Sequence, residues 1–203
     1  VHVYKLGGEG GTEWIQHQIL SEADSTQLGT SLSVYGGYLA VGAPLSQYGK
    51  GEVRVYTLSG ETWAPLSVLS PASLSTDAML GTHVSMGSTH LVAATDTTPG
   101  AVYTFEVYDA ASWPVHSVTC SDSVSSLAVD ADTLAVGQYL ADVVEVYTYS
   151  EAVGEWGTPV SLAASDSGVW YGMGVAMDEG VLAVGAVYVA SNAGAVYLYT
   201  QTG

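Results

Sequence analysis

One pattern occurs four times along this chain of 203 residues, at residues 28–44 (LGTSLSVYGGYLAVGAP), 80–96 (LGTHVSMGSTHLVAATD), 123–138 (SVSSLAVDADTLAVGQ) and 171–187 (YGMGVAMDEGVLAVGAV). Each copy is a short apolar alternation, a tight polar or glycine turn, and a second apolar run ending in Val-Gly-Ala or a relative of it. A period of roughly 40–50 residues restricts the chain to repeat architectures, in which each unit buries its apolar faces against its neighbours. It also bears on function. A chain made of one copied unit offers surfaces more readily than a dedicated cleft.

Two further parts complete the unit. After each copy comes a strand of the form V-x-V-Y, at 53–56, 102–105, 144–147 and 196–199, with a fifth at 1–4 (VHVY). After another turn comes a Trp and a further strand, at 14–20, 63–69, 113–118 and 156–162; Trp14, Trp63, Trp113 and Trp156 stand 49, 50 and 43 residues apart. The period-two alternation, the β-branched and aromatic content and the Gly-rich punctuation predict strands throughout. Four short strands per unit, here named A to D, predict an all-β fold of propeller-type blades, about four of them, in one domain covering 1–203. The blades fall near 28–69, 80–118, 123–162 and 171–200, with N-terminal strands within 1–20.

The residues that recur at the ends of the copies resemble a known family. The chain is similar to the FG-GAP repeat proteins, found as the N-terminal propeller of integrin α subunits and in secreted microbial proteins. The FG position falls at Leu28-Gly29, Leu80-Gly81 and Tyr171-Gly172 and is lost at Ser123-Val124. The GAP position is intact at Gly42-Ala43-Pro44, partial at Gly185-Ala186-Val187, weak at Gly137-Gln138 and degenerate at Ala94-Thr95. The resemblance covers nearly the whole chain. It implies an extracellular, secreted or cell-surface protein, whose family rings usually have seven blades.

Composition narrows the partners. Lys and Arg total three against 20 Asp and Glu, for a formal charge of −17. No basic stripe is present to neutralise nucleic-acid phosphates, and an anionic membrane surface would repel the chain. No apolar run is long enough to span a bilayer as a helix. The acidity reads as a solubilising, repulsive surface. The Ser/Thr/Pro-rich passages 21–27 and 70–78 read as loops that would accept O-glycans in a secreted protein, whereas Asn192 lies outside any N-glycosylation sequon.

Sites of chemistry are sparse. Some blades of the FG-GAP family carry an Asp-rich Ca²⁺ loop, which needs alternating oxygen ligands around a Gly. The A-to-B turns here are Gly36-Gly37, Ser88-Thr89, Ala131-Asp132 and Glu179-Gly180, two-residue hairpins too short to wrap a cation. Asp130 and Asp132 therefore read as turn residues, and no metal or cofactor is expected. The five histidines, His2, His17, His83, His90 and His116, are scattered without zinc spacing. No Gly-x-Ser-x-Gly elbow occurs. Carboxylates such as Glu22, Asp24, Asp77, Asp122 and Asp166 sit in D-to-A loops, where solvation explains them. Cys120, alone in the chain, reads as a packed hydrophobe. The four repeated Trp residues read as inter-blade packing. Trp170 breaks that pattern beside Tyr171, and this pair is the candidate aromatic site for a ligand or partner.

Strand arithmetic supplies the sharpest functional expectation. Strands C and D, three A-B-C-D sets and a final A-B-C make seventeen. Pairing 14–20 with the final A-B-C closes four blades and leaves strand 1–6 without a slot. Three readings follow: part of a longer propeller, a four-bladed ring with a spare strand, or a protomer that exchanges its N-terminal segment with a neighbour. The candidate self-association strand carries Val1, Val3, Tyr4 and Leu6. The expected function is a non-enzymatic extracellular structural or adhesive module, with self-association into oligomers or filaments. The competing readings are a monomeric carbohydrate- or protein-binding propeller and, last, a propeller hydrolase or lyase.

Overall fold

A computed structural model describes residues 1–8, 10–22, 26–107, 115–165 and 168–201. The expected Trp113, Asp24 and Asp166 lie outside the described residues. The strands run β1 (His2–Gly7), β2 (Glu13–Ile19), β3 (Leu32–Tyr35), β4 (Tyr38–Ala43), β5 (Glu52–Ser59), β6 (Thr62–Leu69), β7 (His83–Met86), β8 (His90–Ala94) and β9 (Ala101–Glu106). They continue as β10 (Val115–Thr119), β11 (Ser126–Asp130), β12 (Thr133–Gln138), β13 (Val143–Ser150), β14 (Glu155–Trp156), β15 (Val160–Ala163), β16 (Tyr171–Asp178), β17 (Val181–Ala186) and β18 (Ala195–Thr200). Ser46–Gly49, α1, is a single tight turn in which Gln47 and Tyr48 have positive φ rather than right-handed helical angles.

The strands pair antiparallel, each with a sequence neighbour except β15, which pairs with β13. The sheets are β1-β2, β3-β4-β5-β6, β7-β8-β9-β10, β11-β12-β13 with β14 and β15 both on β13, and β16-β17-β18. They are blades, and each A-to-B turn is the two-residue hairpin expected: Tyr35 pairs with Tyr38, Asp130 with Thr133 and Asp178 with Val181. Gly36, Gly37, Glu179 and Gly180 all have positive φ, as such turns require.

Two details differ from the sequence expectation. The third D strand, expected as one piece at 156–162, is split into β14 and β15. Two C-D pairs accommodate one extra D residue at the same place, whereas β9-β10 pairs through it without a shift. Leu66 is extra opposite Val55/Tyr56, and His17 opposite Val3/Tyr4. In the third sheet the extra residue falls at 157–159, where Pro159 has no N–H for the ladder, so the bulge opens into a break. The second difference is strand 1–6. It is paired along its length with β2 of the same chain, so β1-β2 is the C-D half of a blade that lacks A and B.

The sheets stack in chain order, with one core cluster between each successive pair. Val53, Val55, Leu91 and Phe105 join the first complete blade to the second. Val102, Leu134 and Tyr147 join the second to the third, and Val144, Leu182, Val184 and Tyr171 the third to the last. Leu20, Leu39, Val41 and Tyr56 join β1-β2 to the first complete blade. Among the described residues, no core cluster joins the last sheet to β1-β2, and no strand pairs the outer edge of β18. The four-blade closure is therefore corrected: the arc is open, because β1 holds the β2 edge that closure would give to β18.

The recurring glycines have a packing reason. A Cβ on Gly42 would overlap the carbonyl oxygen of Gly81 in the next blade, and one on Gly137 would overlap that of Gly172. Both carbonyls also accept serine hydroxyls of the preceding blade, from Ser31 at 2.7 Å and from Ser125 and Ser126 at 2.9 Å each. The pair that is lost is lost together: Ala94 ends one copy and Val124 stands at the start of the next.

Candidate functional site

The V-x-V-Y phase decides which way each blade faces. Side chains alternate across a strand. In every C strand the first and third positions face the following blade, as Val53 and Val55 do. The fourth faces the preceding one, as Tyr56, Phe105 and Tyr147 do. At the two ends of the arc this rule leaves apolar side chains uncovered. On the last sheet the forward-facing Val196 and Leu198 are 69% and 70% exposed, while Tyr197 and Tyr199 pack back on the third blade. On the first blade the backward-facing Leu32 and Val34 of β3 are exposed, whereas their counterparts Leu127 and Val129 are packed on the blade before.

The candidate strand 1–6 lies at the same end. Val1 and Val3 pack on Leu39, Val41 and Tyr56, while Tyr4 and Leu6 are exposed. The Val1 amino group donates to the Leu20 carbonyl at 2.7 Å, and the Leu20 amide donates back to the Val1 carbonyl at 2.8 Å. The hairpin is tied to the first blade by Gln18, whose amide brackets the Trp63 backbone at 2.8 and 2.9 Å, and by the exposed Lys5–Glu61 pair.

The described Trp residues of the repeat, Trp14, Trp63 and Trp156, occupy one register. Each stands opposite the residue two past the V-x-V-Y tyrosine: Trp14 opposite Leu6, Trp63 opposite Leu58, Trp156 opposite Tyr149. Trp63 and Trp156 point back towards the preceding blade. Trp63 packs on the β1-β2 cluster, and Trp156 packs on the second blade with its Nε1 donating to Thr104 at 2.9 Å. Trp14, on the first sheet described, is 71% exposed. Among the described residues the last sheet has three strands, and a groove of 420 Å³ lies beside β18. Val146, Leu162, Met177, Leu182, Tyr199 and Gln201 line it. Val146 is the C-strand counterpart of Thr104, and Gln201 is two past Tyr199.

The candidate aromatic pair separates. Tyr171 is wholly buried, with its hydroxyl donating to Tyr199 at 2.7 Å, so it is a core residue and is removed from the candidate ligand site. Its alternation on β16 points it at the third blade, a consequence of strand direction that composition did not reveal. Trp170 remains half-exposed, at positive φ, between Tyr139 and Tyr188 with ring centroids 5.0 and 4.5 Å away. Asp142 holds this turn by accepting from the Gly168 amide and, at 3.0 Å, from the Tyr171 amide. Tyr139 and Tyr188 were missed because each lies in a loop after a B strand, far from Trp170 in sequence.

Another cluster missed in the sequence joins the second and third blades. His90 is buried against the rings of Tyr149 and Trp156, at 4.5 and 5.0 Å. The Tyr149 hydroxyl donates to Glu106 at 2.8 Å, and His116 approaches the same carboxylate at 3.4 Å. Burial pushes the His90 and His83 imidazoles below their ordinary pKa, against the opposing pull of Asp132 and Glu106 on the first and Asp96 on the second. A histidine held neutral in the fold is protonated more readily in the unfolded chain, so stability falls as pH drops through the ordinary imidazole pKa of about 6.5. Thermal denaturation at about pH 7.5 and pH 5.5 should show a lower Tm at the acid pH. The drop should shrink in H83Q/H90Q; an unchanged drop would assign it to carboxylates instead. Cys120 is buried, and desolvation pushes its thiol up to about 12, which leaves it protonated and unreactive. Among the described residues, no group of three or more His, Cys, Asp or Glu could hold a metal ion.

No family model matches this chain, and no curated protein does. Among solved structures it is similar to the WD40 domain of a coronin from Toxoplasma gondii, with a TM-score of 0.55 and 15% sequence identity. The match covers 82% of this chain and 41% of that one, so this chain spans about two-fifths of its neighbour's length. At that identity the likeness concerns the fold alone: the chain has a β-propeller-type fold of repeated four-stranded blades.

Proposed function

We propose that this chain is a non-enzymatic extracellular module of FG-GAP type, structural or adhesive, that self-associates. The observation that carries the reading is the set of large apolar side chains that the inner blades leave exposed, among them Tyr48, Val68, Val153 and Val160. Large exposed apolar side chains mark interaction surfaces in a soluble protein. The extracellular assignment rests on the FG-GAP resemblance and agrees with the −17 charge, which repels nucleic acid and anionic membranes alike. That charge also opposes association between copies. Sedimentation velocity of the full chain should show mass-dependent association that strengthens from about 20 to about 300 mM salt as repulsion is screened. A monomer at every concentration and salt overturns the reading.

The Tyr139–Trp170–Tyr188 cluster favours a second reading, a monomeric propeller that binds glycan or protein on one rim. Half-exposed aromatic rings stack on sugar faces or anchor a partner side chain. Screening the chain against a glycan panel, with Trp fluorescence as readout, tests it. A saturable response that W170A removes supports the rim site, and no response in any glycan discards its carbohydrate form.

A further inference from the structure

We infer that the Tyr139–Trp170–Tyr188 cluster is a site for an uncharged glycan, whose C–H face lies on the rings while its hydroxyls donate to Asp142. This rests on the rim-binding reading above and names its ligand class.

The backbone at Trp170 belongs to the repeat, but the side chain does not. Gln27 and Met79 hold the same place just before Leu28-Gly29 and Leu80-Gly81, and their φ values of 55° and 53° match the 54° of Trp170. A left-handed angle costs a bulky side chain free energy, so the turn alone favours Gly or Asn there. Nor does the core call for the Trp, which stands outside the cluster joining the third and last sheets. Its exposure is a property of the position. Met79, seated between two complete blades, is half-exposed too. So is Leu45, the counterpart of Tyr188: its amide donates to Thr26 at 3.2 Å as the Tyr188 amide does to Val169 at 3.0 Å.

Three loops of one rim bring the rings together. Tyr139 follows β12, Trp170 precedes β16 and Tyr188 follows β17. Trp170 meets Tyr139 at 5.0 Å and 58°, and Tyr188 at 4.5 Å and 69°. Between the first two complete blades Pro44 and Met79 stand where Tyr139 and Trp170 do, so that joint closes without aromatic rings. The polar groups of the cluster are also uncommitted. The Tyr147, Tyr149 and Tyr171 hydroxyls donate within the fold, whereas those of Tyr139 and Tyr188 have no partner among the described residues. Asp142 spends one lone pair of each carboxylate oxygen on the Gly168 and Tyr171 amides and keeps the others. An acceptor-only carboxylate beside apolar ring faces matches a ligand with O–H donors and a C–H face, as a sugar has.

Charge narrows the class. No Lys or Arg follows residue 54, whereas most of the 20 Asp and Glu do. This rim therefore repels sialylated, sulfated and uronic-acid chains. A guanidinium fits less well than a hydroxyl, because both Asp142 oxygens are already shared with amides.

The test is isothermal titration calorimetry of the full chain at about 150 mM salt, where long-range attraction and repulsion are largely screened. The neutral probes are chitotetraose, cellotetraose and maltotetraose; a heparin tetrasaccharide is the anionic probe and an arginine tetrapeptide the cationic one. At least one neutral probe is expected to bind saturably, and W170M to weaken it by at least about tenfold. W170M sets at 170 the residue that position 79 carries at the same backbone angle, so its circular dichroism spectrum matches wild type. D142N is expected to weaken the same probe. If heparin binds as tightly as the neutral probes and W170M weakens both, the rim reading stands and the uncharged class is overturned. If only the arginine peptide binds in a Trp170-dependent way, the ligand is protein and the glycan inference is overturned. If no probe binds, or W170M binds as wild type does, the inference and the rim reading fall together, and the self-association reading is untouched.

Discussion

Replacing Gly137 by Ala should destabilise the protein by more than about 3 kcal/mol, well above the cost of an ordinary surface change. The added methyl would overlap the Gly172 carbonyl oxygen and crowd Ser126 Oγ. The neighbour that must yield is largely backbone, itself pinned by two serine hydroxyls, so no side-chain rotation relieves the clash. The third and last blades must separate for Ala to fit. Gly174→Ala is the matched control: it lies in the adjoining strand, and a Cβ there meets nothing within 4 Å. Urea unfolding should show a large fall in midpoint for G137A and a change within about 0.5 kcal/mol for G174A. Equal effects would show that the glycine-to-carbonyl contact does not hold the blades together.

Phe105→Ala should cost about 3–5 kcal/mol, the usual range for emptying a buried phenylalanine site. Phe105, the chain's one phenylalanine, is 1% exposed and packs backwards on Val53 and Val55 of the first blade. In a protein of this size each kcal/mol moves Tm by roughly 2–4 °C, so a fall of about 10 °C is expected. The stack adds a second expectation. Each blade contacts its chain neighbours, so loosening one interface lets the two parts of the arc unfold at different points. F105A should broaden the denaturation curve and lower the urea m-value as well as the midpoint. A parallel shift with the m-value unchanged would mean that the blades unfold as one unit.

The local repeat made much of this fold legible. Two-residue turns such as Gly36-Gly37 and Glu179-Gly180 announced the A-B hairpins, because the backbone angles of such turns are a property of those residues. The V-x-V-Y runs located every C strand. The break at 157–159 was less legible, since a bulge and a break differ by which D residues still find ladder partners. Tyr171 illustrates a different limit. It was singled out for its place beside Trp170, yet it is the core residue, and Trp170 is the one that meets Tyr139 and Tyr188. Those partners come from loops about 31 and 18 residues away in sequence, so no local pattern announces them.

Taken alone, the sequence determined the unit: four strands, their turns, their hairpin register and the Trp at the start of each D strand. Those properties follow from period-two alternation and turn chemistry, which act over a few residues. Tertiary structure decided how the units meet. The choice of β1 rather than β18 as the partner of β2, the open arc and the empty groove over Val146 depend on how each blade seats on the last. That seating is set by non-local packing, such as Gly42 against Gly81 and Trp156 against Thr104, which the composition of any single strand does not contain.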